Sequence, residues 1–186
     1  MFLKRAIPLV ATAVLFLLTV PAVLADGPTP VPMPDVPVRE REVVTVEDGQ
    51  EVHTLIVEMD VYPTHEINPD EIAPDGFIPG GSGQSGTLSA MIGYYSATFP
   101  PWRARGGAKI TLTGSPTASA WPIFSIAGVQ QEDATGSPCW TTSSCTKWTS
   151  YYNAFNGDEA LTFAQTTIMW SSGGSTTADA TATKTL

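Results

Sequence analysis

The chain is poor in charge: 15% of its 186 residues are Asp, Glu, Lys or Arg, where soluble domains carry about 25%. Positive charge is scarcer still. Nine Lys plus Arg stand against 18 Asp plus Glu, a formal net charge of -9. A nucleic-acid partner is not expected, because neutralising phosphates needs a basic footprint. Cysteine is limited to Cys139 and Cys145, and histidine to His53 and His65. Two cysteines without neighbouring histidines do not make a zinc site. After residue 25 no window keeps a 3.6-residue apolar period, and no second run is long enough to span a bilayer. That excludes a polytopic membrane protein. Disorder throughout is excluded as well, since 42% of the residues are hydrophobic.

Chemical motifs are equally sparse. The run Gly83-Gln84-Ser85-Gly86 has Gln where the serine-protease nucleophile motif has Asp, and it reads as linker. Glu51 and His53 share one face of an expected strand, with His65 as a third candidate ligand. Such a pair is more often a solvated strand face than a metal site.

What is present starts at the N-terminus. Lys4 and Arg5 precede an apolar run from Ala6 to Leu24, and Val23-Leu24-Ala25 ends it before Asp26. This is the order of a secretory signal, so residues 1–25 are expected to be a signal peptide cleaved after Ala25. The membrane would be touched only through this segment, were it to stay uncleaved. The expected localisation is secreted or on the extracellular surface. The chain left after cleavage has seven basic and 18 acidic residues, a net of -11.

The acidity is uneven. Residues 26–75 hold 13 acids and only Arg39 and Arg41, while residues 76–186 hold five acids and five bases. Residues 26–40 contain five prolines and read as an extended linker. Residues 41–81 read as an acidic segment with one hairpin over 41–61, turned at Asp48-Gly49, followed by Pro-rich irregular chain. Gly80-Gly81 opens a flexible joint, so the neutral domain is placed at 82–186.

That neutral segment is rich in Thr, Ser, Gly and aromatics. Strands are expected at 87–99, 108–113, 120–130, 146–152, 161–170 and 176–185. The last alternates Ala178, Ala180 and Ala182 with Asp179, Thr181 and Thr183, the period of a half-buried strand. Within 161–170, Leu161 and Phe163 have one parity and Ile168 and Trp170 the other, which predicts a bulge near Gln165-Thr166. The fold class expected is all-β, an antiparallel β-sandwich or small barrel.

Cys139 and Cys145 are expected to form a disulfide in an exported chain. Trp121 and Trp170 sit in apolar strands and are expected to fill the core. Trp140 lies inside the small Cys139–Cys145 loop, and Trp148, Tyr151 and Tyr152 follow closely. Adjacent strand residues point to opposite faces, so one of the two tyrosines should face outward. Trp140, Trp148, Tyr151 and Tyr152 are therefore the candidate ligand-binding residues, for a sugar ring or a partner's apolar patch. Asn156, Asp158 and Glu159 supply oxygens for a weak calcium site, though their spacing also suits a plain turn. No other cofactor is expected.

Three functions follow in order. The first is an exported, non-enzymatic binding module whose partner is a carbohydrate or a cell-surface component. The second takes residues 26–81 as a pro-segment, a layout that resembles secreted toxins and antimicrobial proteins. The third is a hydrolase of unrecognised type.

Overall fold

A computed structural model describes residues 38–63 and 83–186, and these belong to one compact unit. The expected signal peptide, most of the Pro-rich segment, His65 and Gly80-Gly81 lie outside the described residues.

The described chain is all-β, with eleven strands in two antiparallel sheets and no helix. They are β1 (Arg39–Glu47), β2 (Gln50–Val61), β3 (Ser85–Ser96), β4 (Trp102–Thr113), β5 (Thr117–Ile126), β6 (Val129–Asp133), β7 (Cys139–Thr141), β8 (Ser144–Trp148), β9 (Tyr152–Ala154), β10 (Glu159–Met169) and β11 (Ser175–Thr185). The first sheet runs β1-β2-β3-β4-β8, with β9 also on β4. The second runs β11-β10-β5-β6, with β7 also on β5.

Local chemistry explains the turns. Asp48 and Gly49 both have positive φ, 50° and 78°. This is the type I′ geometry that matches the twist of a hairpin. Ala127 and Gly128 repeat it at 51° and 75°, so the strand expected over 120–130 becomes two. The strand expected over 108–113 is longer: β4 starts six residues earlier, at Trp102, and runs straight through Gly106-Gly107.

The hairpin β1–β2 is not separate from the neutral segment. β2 pairs with β3 from His53↔Tyr94 to Val61↔Gly86. The charge boundary at 82 therefore divides composition and not the sheet.

The two sheets share one core. Leu88, Ile92, Ala104 and Ile110 come from the first, and Ala118, Phe124, Ala164, Ile168 and Ala182 from the second. β11 alternates as its Ala/Thr pattern demands, with Ala180 and Ala182 buried and Thr181 and Thr183 exposed.

β10 corrects the expected bulge. It pairs in unbroken register with β5 and β11 through Gln165 and Thr166. Its inner face is Ala160, Thr162, Ala164, Thr166 and Ile168, and Leu161 and Phe163 lie on the outer face. The parity change in sequence marks two apolar faces of one regular strand. The irregularity lies instead between Phe124 and Ser125, where β5 meets β6.

Cys139 and Cys145 form the disulfide, with Cα atoms 6.1 Å apart. β7 belongs to the second sheet and β8 to the first. The bond therefore straps the two sheets together beside the core. A disulfide is compatible with an oxidising compartment. No helix among the described residues is long and apolar enough to cross a membrane.

Candidate functional site

The site lies on the outer face of the first sheet and begins with two glycines. Gly106 and Gly107 are neighbours on β4, so they open toward opposite faces. A Cβ on Gly106 would sit 2.7 Å from the Phe124 side chain in the core. A Cβ on Gly107 would sit 2.6 Å from the Trp148 ring on the outer face. Glycine is required at both places because an aromatic side chain approaches the backbone closely.

Trp148 lies over Gly107 at the end of β8, directly opposite in the ladder. Its ring is 4.3 Å from the Arg105 guanidinium, and the Tyr151 ring is 4.4 Å from the same group. Arg105 thus packs against two aromatic rings and is only 16% exposed. Its Nη2 donates to both carboxylate oxygens of Glu47, at 2.7 and 2.8 Å. Cation–π contact and a charge-assisted bond together fix this arginine.

Tyr151 is joined edge-on by Tyr95, with ring centroids 5.0 Å apart and planes at 74°. Burial pushes the Tyr151 hydroxyl up to about 12; the Glu47 carboxylate adds to the rise, against the opposing pull of Arg105. The phenol therefore stays protonated at neutral pH as a donor. Beside these rings is a cleft of about 250 Å³ lined by Glu47, Asp48, Gln50, Val52, Tyr95 and Tyr151. Its floor is Val52, fully buried although on the outward face of β2. The arrangement combines flat apolar ring surface with carboxylate and amide groups at the rim, suited to a small polar ligand with apolar faces.

The candidate aromatics do not form one group. Trp148 and Tyr151 meet around Arg105, as described. Tyr152 points between the sheets, 6.2 Å from Phe124, and donates to Glu132 at 2.8 Å. The outward tyrosine of the pair is thus Tyr151. Trp140 is 63% exposed but lies on β7, opposite Ser119 on the outer face of the second sheet. Trp170 is buried as expected, whereas Trp121 lies on that same outer face, with Nε1 donating to Gln165 at 3.2 Å.

The NAFNGDE run forms a turn whose oxygens accept protein donors. Asn156 accepts from Trp102 Nε1, Asp158 from the Phe155 amide, and Asn153 from Arg103. Glu159 begins β10. Among the described residues no group of three or more His, Cys, Asp or Glu could hold a metal ion.

A second polar cluster lies between the sheets at their β1 and β11 edges. Glu42 accepts from Tyr94 at 2.6 Å and from Lys184 at 3.1 Å, and His53 is 3.1 Å away. These bonds hold the Glu42 carboxyl at about 2: the Tyr94 hydroxyl contributes most, burial opposes it, and Lys184 and His53 lower it further. The cluster pins edge strand β1 to β11.

Sequence reading missed Tyr95, Arg105, Glu47, Asp48 and Gln50 as site residues. The Gly106-Gly107 pair inside a strand was the available signal, since interior strand glycines mark close approach. No protein-family model, curated protein or solved structure matches this chain.

Proposed function

We propose that this protein is an exported β-sandwich binding module that takes a saccharide unit in the cleft beside Tyr95 and Tyr151. The observation that carries the reading is the aromatic corner itself. Two rings set at 74° share a cleft with two carboxylates and an amide. Sugar rings offer apolar C–H faces for stacking and hydroxyls for such acceptors, so this chemistry matches them. Export rests on the N-terminal pattern and fits a disulfide-bonded chain.

Binding suits the site better than hydrolysis. Glu47 and Asp48 are chain neighbours at a hairpin tip, and both Glu47 oxygens face Arg105. Glycoside hydrolysis needs two carboxyl groups facing each other across the bond. In this reading Trp148 shapes the site from beside Arg105, and Tyr151 lines it. Trp140 stands apart, and Tyr152 supports the interior.

Titration calorimetry with a panel of short oligosaccharides tests this. Tyr95→Ala should weaken binding about tenfold, the loss of one stacking contact. Trp140→Ala should leave it unchanged. Failure of every saccharide to bind, or loss of binding with Trp140→Ala alone, would reject the site.

A further inference from the structure

We propose that the cleft prefers saccharides bearing a free amino group over neutral or acidic ones, an inference that rests on the saccharide reading above. The argument is a charge count within the cleft. Glu47 is matched by Arg105, both of its oxygens lying within 2.8 Å of one guanidinium nitrogen. Arg105 in turn is covered by Trp148 and Tyr151, so it offers no free cation to a ligand. The remaining charged side chain on the lining is Asp48.

Asp48 has no hydrogen-bond or ion-pair partner among the described residues, and it is exposed. Its position is set by the backbone and not by a partner, because the Asp48-Gly49 turn holds it at φ 50°. The cleft therefore presents one uncompensated carboxylate beside the Tyr95 and Tyr151 rings. Rings and a carboxylate both attract an ammonium group, the first through the π face and the second through charge. The surrounding chain adds to the bias. With 12 acids and seven bases over residues 38–63 and 83–186, a net of -5, it repels uronate-rich polysaccharides.

Asp48→Asn is a clean probe. Asn tolerates positive φ, and Asn-Gly is itself a favoured type I′ turn. The hairpin should therefore persist while the charge is removed. Calorimetry of the exported chain at mildly acidic pH would compare short oligomers of glucosamine, N-acetylglucosamine and galacturonate. Glucosamine oligomers should bind about tenfold tighter than the acetylated ones, and galacturonate should not bind. Asp48→Asn should abolish that difference by lowering the affinity for the glucosamine oligomer. Asp179→Asn, an exposed acid on β11, should leave the preference intact and so exclude general attraction to an acidic surface. Equal affinity for both oligomers, or a preference that survives Asp48→Asn or is lost with Asp179→Asn, overturns the inference while the saccharide reading stands. No binding of any oligomer overturns both.

Discussion

The Trp148 ring occupies the space that a side chain on Gly107 would need, 2.6 Å from the position of its Cβ. Gly107→Ala should therefore push Trp148 away from Arg105 and open the aromatic stack. Overpacking of this kind costs about 1–3 kcal/mol. Urea unfolding should show that loss, and tryptophan fluorescence should show a more solvated ring. An unchanged unfolding midpoint and spectrum would mean that Trp148 does not rest on the glycine.

Thr162 and Thr166 both face the core from β10, but their hydroxyls differ. Thr166 Oγ1 donates to the Ser119 carbonyl at 2.7 Å, while Thr162 Oγ1 is buried without a partner among the described residues. Thr166→Val should destabilise by about 1 kcal/mol, since it removes a buried hydrogen bond. Thr162→Val should be neutral or stabilising, because it removes a desolvated hydroxyl and keeps the shape. Thermal melts of the two variants check the opposite signs.

The Glu42 cluster makes stability pH-dependent in a definite direction. Its carboxyl lies at about 2 in the folded chain against an ordinary 4.5. A depressed carboxyl stabilises the fold fully above the ordinary value, and that stabilisation is lost as pH falls from about 4.5 toward about 2. The side chain is 37% exposed, so water screens the interaction and limits it to about 1 kcal/mol or less. Glu42→Gln should flatten the stability profile in that window. A profile identical to that of the unsubstituted chain would contradict the assignment.

Removing residues 1–81 should abolish folding. It deletes β1 and β2, bares the edge of β3 along the His53–Val61 register, and takes away Glu47, Asp48, Gln50 and Val52 from the cleft. An unpaired central strand is a site of aggregation. Size-exclusion chromatography and circular dichroism of the shortened chain decide the point. A soluble monomer with a cooperative melt would favour the pro-segment reading instead.

Much of the strand pattern could be read from sequence because it is local. The Ala/Thr alternation of β11 and the Asp48-Gly49 turn needed only near neighbours. β10 misled because both of its faces carry apolar residues, Leu161 and Phe163 outside and Ile168 inside, with threonines in the core. The site was half legible. Trp148 and Tyr151 stood out as aromatics near the disulfide. Their partners come from far along the chain: Glu47 is 58 residues from Arg105 and 104 from Tyr151. Such pairings depend on which strands become neighbours, and charge composition pointed the other way by separating the acidic hairpin from the neutral segment.

Chemical-shift mapping during titration with short saccharide oligomers tests the central claim most directly. The amide and ring signals of Glu47, Asp48, Gln50, Val52, Tyr95 and Tyr151 should move, and those of Trp121 and Trp140 should stay still. Shifts gathered around Trp121 and Trp140 on the second sheet, or none with any saccharide, would contradict it.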